Sequence, residues 1–143
     1  MKARLSTHDL SGALRVAVAR LSRRLRAEKE DDELSDSQTA ALGYLVREGS
    51  ATIGRLSEFE RVKPPSMNRT VNRLEEAGYV ERTSDAGDGR KVVVVPTDRG
   101  TELVAETRRR RDAWLHQRLD TLTPDERTTL AEAARIMREL ADS

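Results

Sequence analysis

A mainly helical chain (α+β, helix dominant) carrying one small β-hairpin is the fold class this sequence predicts, and three features predict it. Leu, Val and Ala recur at helical spacing through most of the chain. The apolar period changes from 3.6 to 2 only once, directly after Gly78. Residues 61–78, RVKPPSMNRTVNRLEEAG, read as a short amphipathic helix with Pro64 and Pro65 at its start and Gly78 at its stop. The other elements are arranged around that helix.

At 100° per residue Met67, Val71 and Leu74 fall on one side of it. The other side carries Arg69 and Asn72, flanked by Ser66, Asn68, Thr70 and Arg73. Four basic residues and no acidic one lie between Arg61 and Arg73. Such a face suits a major groove, where Arg pairs with guanine edges, Asn with adenine, and hydroxyls with base or phosphate. An ordinary solvated helix face is the competing reading, and only the neighbouring elements decide between the two.

With 143 residues the chain is about one domain. Charged residues make up 36% and aromatic residues 3%, which leaves little mass for one globular core. Long helices that bury their stripes against a second subunit resolve that shortage. The net charge is +1, so anion binding has to come from local clusters. Residues 2–29 carry eight basic and two acidic side chains, residues 30–33 are all acidic, and residues 108–111 are four arginines. The absence of cysteine excludes disulfides, thiolate metal sites and sensing by thiol oxidation. No apolar run approaches the ~20 residues of a membrane span. The N-terminus lacks the apolar core of a secretory signal, so a cytoplasmic location is expected.

In chain order, Thr7 is placed to cap a first helix running to about Glu30, with Leu10, Leu14, Val18, Leu21 and Leu25 as a heptad-like seam. Ser35-Asp-Ser-Gln38 is a capping-box pattern opening a second helix, with Ala41, Leu42, Leu45 and Val46 as its core face and Gly49 as its stop. Thr52 begins a short helix, TIGRLSEFE, with Ile53, Leu56 and Phe59 expected inward. A tight connection through residues 61–63 then leads to the helix described first. Two short helices joined this way, the second with a polar outer face, have the layout of a helix-turn-helix.

After Gly78, residues 79–83 and 91–96 read as two strands around a turn at 84–90. A hairpin with Arg90 and Lys91 at its tip, directly after a candidate recognition helix, has the layout of the wing of a winged helix. Arg is favoured in a narrow minor groove by the enhanced negative potential there. A solvated hairpin with a turn-stabilising Asp–Arg pair is the competing reading. Thr97 is placed to cap a long helix to about Leu119, with Leu103, Trp114, Leu115 and Leu119 apolar. Thr123-Pro-Asp-Glu126 combines a capping box with Pro at the first helical position. The last helix carries Leu130, Ala133, Ile136, Met137 and Leu140 on one side.

On these residues the chain resembles the MarR family of bacterial transcription regulators over essentially its whole length. Leu74, Gly78 and Tyr79–Val80 match the family's pattern at the end of the recognition helix, and Asp88-Gly89-Arg90, Thr97 and Gly100 match its wing pattern. Pro96 departs from the apolar residue usual before that Thr. The resemblance implies a single domain, 1–143, with a winged helix-turn-helix DNA-binding lobe at 34–100. Residues 1–33 and 101–143 would then form an intertwined dimerisation lobe. Carried over by position, its DNA-contacting roles fall to Ser66, Asn68, Arg69, Arg73 and Arg90, with Asp88 steering Arg90; Lys63, Pro65, Thr70, Asn72 and Lys91 complete the DNA contacts expected of this chain. The implied function is sequence-specific transcriptional regulation, as a repressor, by a homodimer on pseudo-palindromic double-stranded DNA. Many members release DNA on binding a small, often aromatic anionic effector. Arg15, Tyr44 and Trp114, with His8 and Arg20, are able to line such a pocket here, against core or solvated roles for each.

Two other function classes compete. For an enzyme, His8 and His116 are the only histidines, neither has metal-ligand neighbours at close spacing, and no glycine loop precedes a helix to cradle a phosphate. No cofactor and no metal is implied. A winged-helix dimer serving only as a protein-interaction module would have no need of an acid-free basic stretch joined to a basic wing.

Overall fold

The computed structural model describes residues 4–28 and 34–143. The acidic run at 30–33, and Lys2 and Lys29, lie outside the described residues. The described elements are α1 (Thr7–Arg26), α2 (Asp36–Glu48), α3 (Ile53–Glu60), α4 (Pro64–Glu76), β1 (Val80–Ser84), β2 (Val92–Pro96), α5 (Asp98–Leu119) and α6 (Pro124–Ala141). They cluster into two compact units, Lys29–Arg109 and Met1–Glu28 with Arg110–Ser143. Helix α5 contributes its first half to one and its second half to the other.

Helix starts follow the local chemistry of the sequence. Capping boxes are complete at Ser35/Gln38 and Thr123/Glu126, each satisfying two backbone donors that the first turn leaves open. Thr52 Oγ1 accepts from the Arg55 N–H at 3.1 Å. At α1 the cap is Ser6, not Thr7. Ser6 Oγ accepts from the Asp9 N–H at 3.1 Å, which makes Thr7 the first helical residue. That helix closes at Arg26, short of the expected Glu30, with Arg23, Arg24 and Arg26 in its last turn complementing the helix dipole. Lys63 caps α4 with no side-chain bond. None is needed at the first two positions, because Pro64 and Pro65 have no N–H to satisfy.

The ends of α3 and α4 close in the same way. At α4, Gly78 (φ 82°) donates to Glu75 O at 3.0 Å and Tyr79 donates to Leu74 O at 2.9 Å, a Schellman closure. At α3 the equivalent position is Arg61 (φ 55°), with its N–H on Glu58 O and that of Val62 on Ser57 O. A non-glycine residue in this region costs about 1–2 kcal/mol. Here it gives the sharp turn that brings α4 back across α3.

In the unit Lys29–Arg109, Leu42 and Leu45 of α2, Leu56 of α3, Met67, Val71 and Leu74 of α4, and Val80 and Val94 of the hairpin are fully buried together. The inward face read from the sequence for α4 is therefore the one observed. Phe59 differs from expectation. It is 45% exposed, because Leu56 takes the core centre and Phe59, one turn on, covers the edge of Tyr44 instead (ring centroids 4.4 Å apart). Strands β1 and β2 are antiparallel with Arg82 opposite Val94 and Val80 opposite Pro96. Ala51, just before α3, bridges to Val94 on the edge away from β1, exchanging both backbone bonds with it, so β2 lies between β1 and Ala51.

Thr97 fastens the start of α5 onto this lobe. Its Oγ1 donates to Gly78 O at 2.7 Å and accepts from the Gly100 N–H at 3.1 Å, and its own N–H donates to Tyr79 O at 3.0 Å. Arg99 adds a bond from Nη1 to Ala77 O at 2.7 Å, with its guanidinium 4.8 Å from the Tyr79 ring. In the other unit, Trp114 is held between two guanidiniums, Arg24 at 4.8 Å and Arg118 at 3.8 Å from the ring centroid. The seam residues Leu10, Val18 and Leu21 of α1 and Leu130, Ile136 and Leu140 of α6 are exposed on the single chain. Among the described residues no helix is long and apolar enough to cross a membrane.

Candidate nucleic-acid interface

The buried positions of α4 fix which of its side chains face outward. With Met67, Val71 and Leu74 in the core, Pro65, Asn68, Arg69, Asn72 and Arg73 are exposed and Ser66 and Thr70 half-buried. Lys63 is exposed at the helix N-terminus, and Asp88, Arg90 and Lys91 are exposed at the hairpin tip. Local bonds order part of this face. Arg69 Nη2 donates to Ser66 Oγ at 3.2 Å, and Thr70 Oγ1 donates to Ser66 O at 3.2 Å. Both bonds lean toward the N-terminal turn of the helix.

Charge sorts in the same direction. Among the described residues, Lys63, Arg69, Arg73, Arg90 and Lys91 form no ion pair with a protein carboxylate. Some arginines elsewhere are paired, as in Arg24–Glu28, Arg55–Glu58 and Arg109–Glu106, while others, Arg15, Arg20 and Arg138 among them, make no ion pair among the described residues. What sets the cations of α4 and of the hairpin tip apart is their place beside Ser66, Asn68 and Thr70 and on the exposed turn, with no acidic residue between Arg61 and Arg73.

The hairpin tip is built by its aspartates. Asp85 Oδ1 accepts from the Gly87 N–H at 3.3 Å, and Asp88 Oδ1 accepts from the Arg90 N–H at 3.0 Å. The Lys91 N–H closes the turn on Asp88 O at 3.0 Å. Asp88 therefore fixes the backbone at Arg90, whereas the sequence had suggested a hold on its guanidinium. The short Asp side chain puts its carboxylate within reach of the N–H two residues on, the usual bond of an Asx turn.

The residues expected to line an effector pocket fall in different units. Tyr44 is buried in the unit Lys29–Arg109, and its hydroxyl accepts from Arg55 Nε at 3.1 Å. That bond, ahead of Glu58, raises the Arg55 pKa above its ordinary value. Arg15 and Trp114 belong to the other unit, Arg15 exposed on α1 and Trp114 half-buried between Arg24 and Arg118. His8 and Arg20 are exposed on α1.

A family profile described as the MarR family matches residues 33–91, the span from the start of α2 to the hairpin tip. An uncharacterized HTH-type transcriptional regulator of Mycobacterium bovis is 44% identical over 133 residues, 93% of this chain and 93% of its own. The chain belongs to the MarR family. Its architecture agrees: a MarR family protein from Bacillus stearothermophilus superposes with a TM-score of 0.84 over 95% of each chain at 24% identity. FabT of Streptococcus pneumoniae, solved in complex with DNA, superposes with a TM-score of 0.77 over 94% of this chain and 98% of its own at 16% identity, a likeness of fold.

Two parts of the MarR-type pattern acquire physical reasons in this chain. Thr97 is the clasp between the end of α4 and the start of α5, and Gly100 is the only residue type that fits beneath it. A Cβ at Gly100 would lie 2.1 Å from Tyr79 O. Sequence reasoning missed Arg82 of β1. Its Nη2 donates to Asn72 Oδ1 and its Nη1 to Glu75 Oε1, both at 2.8 Å. A signal was present: period two places Arg82 on the same face of its strand as Val80, and a cation on an inward face requires partners.

Proposed function

We propose that this MarR-family chain is a sequence-specific DNA-binding transcriptional regulator, acting as a repressor, that binds a pseudo-palindromic operator as a homodimer in the cytoplasm. The observation that carries the reading is the set of exposed, unpaired cations on α4 and at the hairpin tip, interleaved with Ser66, Asn68 and Thr70. Donors left unpaired by the protein fit phosphate oxygens and the acceptor edges of bases. The apolar stripes left open on α1 and α6 support the dimer, because a second copy covers both at once. A two-fold axis then presents two α4 helices to half-sites about one helical turn apart, ~34–36 Å.

A salt series tests it. Five such cations in each protomer predict steep counterion release, with affinity for DNA upstream of the chain's own gene falling roughly 10³- to 10⁵-fold between 50 and 200 mM salt. Arg69→Ala is expected to cost about 1–3 kcal/mol per half-site and relax base preference at one position there, while Lys63→Ala weakens all sequences alike. Flat salt dependence, or one protomer per duplex, would count against the reading. Equal losses for the two variants on every sequence would reduce Arg69 to a phosphate contact. Adding aromatic carboxylates to the same assay tests release by an effector.

The hairpin gives a separate expectation. Arg90→Ala should lower operator affinity and leave thermal unfolding unchanged, since the Arg90 side chain is exposed and makes no ion pair among the described residues. Asp88→Ala should have a smaller effect in the same direction by loosening the turn, a hydrogen bond worth about 0.5–1.5 kcal/mol at most in so exposed a place. An Arg90→Ala variant that binds as tightly as the parent would remove the wing from the interface.

A further inference from the structure

Asn72 stands on the exposed face of α4, one turn from Asn68 and Arg69, yet half of its side-chain amide is already engaged. The Arg82 guanidinium bridges from β1, donating from Nη2 to Asn72 Oδ1 and from Nη1 to Glu75 Oε1, each at 2.8 Å. The Arg82 backbone N–H adds a bond to Glu75 Oε2 at 3.3 Å. Arg82 is itself well anchored. It sits opposite Val94, the fully buried strand residue that also bridges to Ala51, and its side chain is only 26% exposed.

A guanidinium has five donors and no acceptor, so the Asn72 atom that faces it must be the carbonyl oxygen. The NH₂ group is thereby turned the other way, and no acceptor among the described residues takes its hydrogens. Adenine recognition by Asn needs Oδ1 to receive the N6 amine while Nδ2 donates to N7. Here a cationic donor already takes one lone pair of Oδ1, and an adenine N6 amine seeking the second would have to approach beside the guanidinium charge, which disfavours that pair.

We infer that Arg82 is a positioning residue for DNA recognition that turns Asn72 toward donation, directing its NH₂ group at a hydrogen-bond acceptor on DNA (guanine O6 or N7, or a phosphate oxygen) in preference to the adenine pair. This rests on the DNA-binding reading above. It assigns a sequence-setting role to a strand residue that is not itself required to touch DNA. Glu75 completes the device by holding the guanidinium's other edge, so that the bond to Asn72 keeps its direction.

The test is selection of bound duplexes from a randomised pool by the parent, Asn72→Ala and Arg82→Ala, with thermal unfolding of each. A base contact predicts that the parent prefers guanine at one position per half-site and that Asn72→Ala loses this preference. Arg82→Ala should shift it toward adenine. Replacing that guanine by 7-deazaguanine, which removes N7, or by 6-thioguanine, which replaces O6 by a weakly accepting sulfur, identifies the atom used, with a loss of about threefold to tenfold in the parent alone. A phosphate contact predicts instead that both variants lose affinity by a similar factor on every sequence. Arg82→Lys, which keeps the charge but cannot hold both acceptors, replaces Arg82→Ala if the latter unfolds early. The inference is overturned if a folded Arg82 variant keeps the parent's profile and affinity while Asn72→Ala changes them. It is equally overturned if the parent selects adenine through Asn72. A parent that enriches no duplex from the pool overturns the DNA-binding reading itself.

Discussion

Gly100→Ala is expected to lower the thermal unfolding temperature of the Lys29–Arg109 unit by roughly 12–24 °C, the equivalent of about 3 kcal/mol. The added Cβ would stand 2.1 Å from Tyr79 O and 3.0 Å from Tyr79 C, with Leu42 Cδ1 at 3.1 Å. Leu42 could turn aside, but the Tyr79 carbonyl is backbone and accepts the Thr97 N–H. Helix α5 can make room only by withdrawing, which breaks the Thr97 bonds to Gly78 O and Tyr79 O. Gly43→Ala is the matched control. It lies within α2, a Cβ there meets nothing within 4 Å, and Ala is the better helix former by about 1 kcal/mol. Differential scanning calorimetry should therefore move the two variants in opposite directions. If Gly100→Ala melts with the parent, the close approach of α5 to the strand is not a constraint on the fold.

Ile136→Asp is expected to abolish the proposed dimer and leave the chain monomeric. Ile136 lies on the exposed apolar stripe of α6 with Leu130 and Leu140, and a second copy covering that stripe would have to bury the new carboxylate without a partner. An unpaired buried charge costs several kcal/mol, and two-fold symmetry counts it twice. At about 3 kcal/mol per copy the dimer dissociation constant rises roughly 10⁴-fold. Ala131→Asp, exposed on the opposite side of α6, should leave assembly unchanged. Sedimentation of the three proteins over a concentration series reads the effect directly. A parent that sediments as a monomer throughout, or an Ile136→Asp variant as dimeric as the parent, would assign the stripe to something other than a second copy.

Much of the fold was legible because its causes are local. Ser35 with Gln38 and Thr123 with Glu126 are capping pairs three residues apart, so they can be read without knowing what surrounds them. Pro64–Pro65 and Gly78 bracket α4, and the spacing of Met67, Val71 and Leu74 already separates its buried side from the side that carries Asn68, Arg69 and Arg73. The exposed positions of the candidate interface follow from that separation. Helix ends were less legible: Ser6 and Thr7 are both good caps, and only the bond from the Asp9 N–H chooses between them.

By itself the sequence determined the order and kind of the elements, the buried face of α4 and the clustering of basic residues around it, since periodicity, capping and charge act over a few neighbouring residues. Tertiary structure decided what depends on groups far apart in the chain. Phe59 has inward spacing, yet Leu56 fills the core centre and leaves it at the edge over Tyr44. Thr97 finds Gly78 nineteen residues away, and Arg99 finds Ala77 at a separation of twenty-two. Asn72 reads from sequence as an adenine-type contact, and its carbonyl is committed to Arg82 only because β1 returns alongside α4. A hydrogen bond has direction and short range, so which donor meets which acceptor is settled only when packing brings the elements together.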